Sequence, residues 1–337
     1  MHSKRCLLIL ILSSLLVSLV LIFPYLNRLI VNQNPESIPT TIPSPEETNN
    51  KQAFPNTIFK NVVLVIINPK DTNGIGTISK YNWHNPEELA NQYLKTVRSV
   101  SDNTINYQIV KRINFNKFPI KKNGFIPDAQ SYAKCLYETD ADCREIIDYK
   151  AFFDDLSLCE DIRLGKISEV WTFGGPWFGF WEWSVKGPRI NSNQENLPDC
   201  GGKTYTIMGF SYERSLTEML EDLGHRFEYT MIQIPEVRQD WRKFTDGDHC
   251  GTVHVPPNAT VNYDRSNTNP IESFCDDFHN YPNLLQKKTS FNCRAWDCTA
   301  YGYLTWWLGH IPNRQGKKNN VLNNWWLYVT DPDQFVR

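Results

Sequence analysis

The chain has no excess of either charge. Its 337 residues carry 35 lysines and arginines against 37 aspartates and glutamates, a formal net charge of −2. With both signs mixed along its length there is no basic footprint of the kind a nucleic-acid backbone selects, so no nucleic-acid partner is expected. Close CxxC pairs are missing, which argues against a zinc–cysteine module. No phosphate-cradling glycine pattern occurs, since the loop Asp71-Thr72-Asn73-Gly74-Ile75-Gly76 lacks the spacing. No internal repeat is present, which argues against solenoids and propellers.

What is there begins with location. After Lys4 and Arg5, residues 6–23 form an uninterrupted uncharged run, at the short end of what spans a hydrocarbon core as a helix. A secretory signal normally has a shorter apolar stretch and a small-residue cleavage site; here Pro24-Tyr25-Leu26-Asn27-Arg28 follows, with no A-x-A pattern. The expectation is an uncleaved single-pass signal anchor, with residues 1–5 as a cytoplasmic stub and the bulk of the chain extracytoplasmic. Secretion after signal cleavage is the alternative. Residues 32–56, with prolines 35, 39, 43, 45 and 55 among polar side chains, cannot bury a core and read as a linker. Beyond Cys6 the cysteines are 135, 143, 159, 200, 250, 275, 293 and 298, an even set that reads as up to four disulfides. Cys135/Cys143 and Cys293/Cys298 suggest local loops, but connectivity stays open.

Residues 57–234 read as an α/β body. The β-branched run 61–68, an amphipathic helix over 86–100 and a strand over 105–112 give the strand–helix–strand order of a parallel sheet. Helical stretches near 128–138 and 145–159 precede a strand at 167–173, and a strand at 204–210 feeds a helix over 213–232. The fold class is therefore α/β, a mixed or mostly parallel sheet with flanking helices. Residues 235–337 are rich in proline, asparagine and tryptophan, with helical pattern only near 298–309 and strand-like pieces near 325–329. They read as a loop-rich, disulfide-stapled part packed on the body.

The helix over 213–232 carries Glu218, Glu221, His225 and Glu228 at spacings of three, four and three, which places them on one face. One imidazole and up to three carboxylates aimed at one point suit a metal or acid/base site. The plainer reading is a solvated acidic face paired with Arg214 and Arg226. A second constellation is Gly174-Gly175-Pro176-Trp177-Phe178-Gly179-Phe180-Trp181-Glu182-Trp183, at the end of the 167–173 strand, where ligands gather in open α/β sheets. Gly174 and Gly175 allow close backbone approach, and Trp177, Trp181 and Trp183 offer stacking planes for a substrate around one carboxylate, Glu182. Against this, large aromatics are usually core. A third stretch, Asp246 to Asn258, brings His249 and His254, of which His254 is the preferred partner for His225 and His249 the next.

Taken together, FGGPWFGFWEW, EMLEDLGHR, CGTVHVPPNA and NNWWLYV resemble a family of exported bacterial proteins whose activity is uncharacterised. Separately, Glu221-Asp222-Leu223-Gly224-His225 is similar to the HExxH helix of zincin metallopeptidases, with glutamate in place of the first histidine and aspartate in place of the base. That similarity implies zinc shared by Glu221 and His225, with Glu228 or Glu218 as third ligand, and the 246–258 loop offers His254 as the ligand from outside the helix. The water-polarising carboxylate would be Glu182, Glu218 or Asp222, and the preceding strand, 204–210, resembles the edge strand that lies beside the zincin helix and grips peptide backbone. The expected function is a membrane-anchored, metal-dependent, peptidase-like hydrolase. The alternatives are a glycan-binding or glycoside-hydrolysing protein that uses the tryptophans and the Glu182/Glu221 carboxylates, and a non-catalytic surface module.

Overall fold

The computed structural model describes residues 57–137, 141–192 and 197–336. The α/β expectation holds. In chain order the first elements are β1 (Ile58–Ile67), α1 (Thr77–Lys80), α2 (Pro86–Val100), β2 (Ile105–Phe115), α3 (Ala129–Tyr137), α4 (Ala141–Arg144), α5 (Tyr149–Leu156), α6 (Leu158–Arg163), β3 (Glu169–Gly174), β4 (Trp183–Lys186), β5 (Tyr205–Ser211) and α7 (Leu216–Gln233). They build a five-stranded sheet ordered β2-β1-β3-β5-β4. The first four strands of that order are parallel, and β4 runs antiparallel to β5 at the edge, so the strand before the helix, expected as the edge strand, is instead paired on both sides. Val62 to Val65 on β1 and all of β3 are fully or almost fully buried. Such two-sided burial is what a central parallel strand requires, and each large side chain contributes about 1.5–3 kcal/mol by leaving water.

The remaining chain adds α8 (Arg238–Phe244), β6 (Ile271–Ser273), a 3₁₀ turn at Cys275–Asn280, β7 (Thr289–Phe291), α9 (Ala300–Gly309), β8 (Asn313–Lys318), β9 (Val321–Asn324) and α10 (Trp326–Thr330). The strand-like expectation near 325–329 is corrected: that run is the buried helix α10. A short apolar run has no periodicity that separates a strand from a helix. The helical stretch expected over 145–159 is broken in two at Ser157, whose left-handed φ of 53° ends α5 and starts α6. Four disulfides are formed, Cys135–Cys143, Cys159–Cys200, Cys250–Cys275 and Cys293–Cys298, two in the α/β body and two in the C-terminal part.

The location expectation is also corrected. Among the described residues no helix is long and apolar enough to cross a membrane. Residues 6–23 and the linker 32–56 lie outside the described residues, so the single-pass anchor and the placement built on it have no support.

The helix α7 is set by both ends and by its underside. Ser215 and Glu218 form a reciprocal capping box, Ser215 Oγ accepting from Thr217 N–H and Glu218 Oε2 accepting from Ser215 N–H. Midway, the buried Arg226 places Nη1 3.0 Å from Glu169 Oε1 on β3 and donates through Nη2 to the carbonyl of Val329 on α10. Burial alone would disfavour the charge, but Glu169 raises the pKa of the guanidinium above its ordinary value. Breaking this pair would leave a charge buried and uncompensated, at a cost of about 3–5 kcal/mol.

Candidate metal centre

On the outward side of α7, His225 faces Glu182 of the β4 approach, with Nε2 3.9 Å from Glu182 Oε2. Its other nitrogen, Nδ1, lies 3.0 Å from Glu228 Oε2 one turn along. A carboxylate only accepts, so Nδ1 carries a hydrogen, and Nε2 is the nitrogen left to bind a metal once the ring is neutral. Carboxylates standing behind histidines in this way orient metal ligands and raise their basicity. Glu228, expected as a further ligand, is engaged with the His225 ring and lies outside the group whose ligand atoms converge. Its second oxygen accepts from Val253 N–H at 3.1 Å and fixes the loop that carries His254.

That loop reaches the helix because Gly224 has no side chain. A Cβ there would overlap Val253 Cγ2. Gly251, at φ +71°, makes the preceding bend. Cys250 is anchored by its disulfide, and the carbonyls of Gly251 and Thr252 accept from Trp307 Nε1 and Tyr303 Oη. The result brings the His254 and His225 rings to 4.7 Å, edge to face. His254 Nε2 lies 3.0 Å from Glu221 Oε1.

Glu221, His225 and His254 each offer a ligand atom, all within 4.8 Å of one another. Two ligands held about 2.0–2.1 Å from a tetrahedral ion stand roughly 3.3 Å apart, so this group can hold a metal. The electrostatics agree. Glu182 and Glu228 stand beside His225, and Glu221 stands between His254 and Arg265, so with the imidazoles neutral, as metal binding requires, the group is left with a negative charge that a divalent cation would offset. Burial raises the pKa of Glu221, but hydrogen bonds from Arg265 and Tyr263 and the charges of Arg265 and His254 outweigh it and hold the group below the usual carboxylate range. His225 goes the other way. Partial burial opposes its charge, yet the hydrogen bond to Glu228 and the charges of Glu228, Glu182 and Glu221 raise its pKa above the ordinary histidine value.

Two residues of the cluster had not been anticipated. Arg265 Nη2 donates to Glu221 Oε2 at 3.0 Å and to the carbonyl of Val253. Tyr263 donates to Glu221 Oε1 at 3.1 Å, stacks on His254, and is held at φ +64° with its N–H on the His254 carbonyl. Neither carries a local signal, because both reach Glu221 from more than forty residues away.

The other side of Glu182 opens on a second cleft of about 340 Å³, lined by Gly174, Gly175, Trp177, Glu218 and Asp222 among others. Here Glu218 is committed to its capping box, which accounts for it without a catalytic role. Asp222 differs. It is buried, and desolvation together with the charges of Glu182 and Glu221 pushes its carboxyl well above the usual range, with Arg214 opposing. Gly174 and Gly175 are glycines because Phe178 and the Tyr132 hydroxyl occupy the space a Cβ would take. The aromatic loop is tied down by the buried Lys121, whose ammonium donates to the carbonyls of Cys143, Glu145 and Trp177.

Trp181 and Trp183 line a third cleft, of about 430 Å³, with Glu182, His225, Glu228 and Tyr229. Trp181 is 47 % exposed, and Trp183 packs on Tyr229 at 5.2 Å. Trp177 is exposed on the pocket rim. Six other tryptophans, 171, 241, 296, 307, 325 and 326, are wholly buried and belong to the core. His249 does not join His225. It packs on Phe274 and Phe278 and groups with Asp246 and Asp248.

Fold and cluster together define an α/β protein with a two-histidine, one-carboxylate group at the edge of its sheet. No family model, no curated protein and no solved structure matches the chain.

Proposed function

We propose that the protein is a zinc-dependent hydrolase of peptidase-like type, in which His225 Nε2, His254 Nε2 and Glu221 hold the ion. The observation that carries this reading is the convergence of those three groups with the Glu182 carboxylate, which stands 3.9 Å from His225 Nε2. Two histidines and a glutamate are the donor set of known catalytic zinc sites, where the ion supplies a water of lowered pKa and polarises a carbonyl. Glu182 then takes the proton of the attacking water and returns it to the leaving amine. Asp222, whose carboxyl is pushed well above the usual range by burial, is the second proton carrier on the adjoining cleft. Glu228 fixes the His225 tautomer, and Arg265 with Tyr263 hold Glu221 in place.

The sheet edge supports a peptide substrate. Gly209 N–H donates to the Glu182 carbonyl, so residue 182 bonds inward and, by the alternation of an antiparallel ladder, Trp183 turns its N–H and carbonyl outward. Val185 also turns outward, and Ser192 covers it. Trp183 is therefore the point at which an extended chain would add to the sheet, beside His225. The exposure of Trp181 beside Glu182 favours a second reading, a glycan platform, and loss of sugar-array binding in Trp181→Ala or Trp177→Ala would mark it.

Elemental analysis of the purified, disulfide-bonded protein tests the first reading. One zinc per chain at this centre is expected, lost in His225→Ala and His254→Ala and retained in Glu182→Gln. The same Glu182→Gln variant should lose hydrolysis of a mixed peptide library by about 10²–10⁴-fold. Zinc content indifferent to His225→Ala, or hydrolysis indifferent to a chelator, would sink it.

A further inference from the structure

A second cluster sits in the C-terminal part, on the 3₁₀ turn Cys275–Asn280 and at the end of α9. Asp276 and His279 are three residues apart on that turn, and three residues per turn stacks them one above the other. His310, the C-cap of α9, closes the group, and the three offer ligand atoms within 4.8 Å of one another. We propose that Asp276, His279 and His310 form a second metal site, for a divalent transition ion of the zinc class, which clips the 275–280 turn to the end of α9.

The geometry of the three groups carries this. His310 Nδ1 lies 2.7 Å from the carbonyl oxygen of Trp306, and Nε2 lies 3.1 Å from Asp276 Oδ1. Both partners only accept. With the Nδ1 side of the ring on the Trp306 carbonyl, Nε2 faces the Asp276 carboxylate, where a metal ion would join the two. The His279 ring lies 4.4 Å from His310 at a tilt of 38°, close enough to supply a third ligand to the same ion. The Nε2–Oδ1 distance also fits two ligands of one tetrahedral ion, which stand roughly 3.3 Å apart.

The frame is rigid in the way a ligand set needs. The Cys250–Cys275 disulfide fixes the start of the turn, and Asp277 accepts from Leu285 N–H and Gln286 N–H to fix its exit. The Trp306 carbonyl orients His310 from behind, and the Trp306 ring lies 4.3 Å from the imidazole as an apolar wall. His310 is buried while His279 is exposed, so the ion would sit near the surface. Imidazole and carboxylate together suit zinc better than the hard alkaline-earth ions.

The test uses the full disulfide-bonded chain with the first centre disabled by His225→Ala and His254→Ala, so that its result does not depend on the proposed hydrolase. Zn²⁺ alone, added and followed by dialysis, should leave one ion per chain. Adding His279→Ala, an exposed position that spares the fold, should weaken uptake about tenfold or more, and Asp276→Asn should do likewise. Zn²⁺ should raise Tm in the first variant and not in the second. No retained zinc with the first centre disabled, or uptake unchanged by both His279→Ala and Asp276→Asn, would overturn the proposal. If the wild type and the variant lacking the first centre take up the same single ion, the first centre fails and the second stands.

Discussion

Glu221 and Asp222 are neighbours in the chain with opposite ionisation. The first is held charged by Arg265, the second is pushed toward its neutral form by burial. For Asp222 the linkage has a definite sign. An unfolded aspartate loses its proton near 3.8 while the folded one keeps it to higher pH, so between the two values unfolding releases a proton and rising pH destabilises the fold. Asp222→Asn should therefore raise Tm at pH 7, by about 2–4 °C for each kcal/mol recovered, and the gain should vanish as pH falls toward 4. Thermal melts of both proteins across pH 4–7 check it, and a gain that persists at pH 4 would contradict the assignment. For metal binding the sign at His225 is also fixed. Its proton must leave before a metal binds, so with a raised pKa zinc affinity should begin to fall above the pH at which an ordinary histidine protonates. Zinc titrations between pH 5 and 8 measure this. At this scale the sequence was legible where spacing decides, as with Glu221 and His225. Ser215 and Glu218 carry the S-x-x-E signature of a capping box, so the role of Glu218 was available too, hidden by reading its carboxylate only as a site acid.

At the scale of elements, α7 and the 250–255 loop make the site by contact, and Gly224 sets their distance. Intrinsic propensity alone would make Gly224→Ala stabilising by about 1 kcal/mol. The overlap with Val253 Cγ2 reverses this, because overpacking costs about 1–3 kcal/mol and the loop has nowhere to retreat behind its Trp307 and Tyr303 bonds. Gly224→Ala should lower both Tm and zinc affinity, and adding Val253→Ala should restore part of each. Equal zinc affinity in wild type and Gly224→Ala would show that the loop is not set by this contact. The helices α2 and α7 and the parallel strands were legible because each carries its own period or apolar run. The edge strand β4 was not. Its sequence WSVK is short, and its place is fixed by Gly209, where a Cβ would overlap the Trp181 carbonyl.

For the whole molecule, one crosslink joins the two clusters proposed to bind metal. Cys250 begins the His254 loop and Cys275 precedes Asp276, so their disulfide ties the two ligand sets together. Closing a loop of this length stabilises by about 3 kcal/mol in the chain-entropy view. The Cys250→Ser/Cys275→Ser variant should lose stability on that order and take up less zinc at both clusters, as unfolding curves and elemental analysis would read. Unchanged uptake would separate the disulfide from the sites. Such long-range partners were the least legible part: Arg265, Tyr263 and His310 reach their sites from distant segments, and no local pattern announces them. The pair of Arg226 with Glu169 has a consequence at the same scale. It sits next to His225 but points the opposite way, keying α7 to the sheet and to α10 so that the helix cannot turn on its axis. The outward positions of α7 are then sockets on a shaft of fixed rotation. Swapping carboxylate for imidazole at those sockets would change which cation is preferred while leaving the direction of each side chain intact, which makes this helix a template for rewriting metal selectivity one residue at a time.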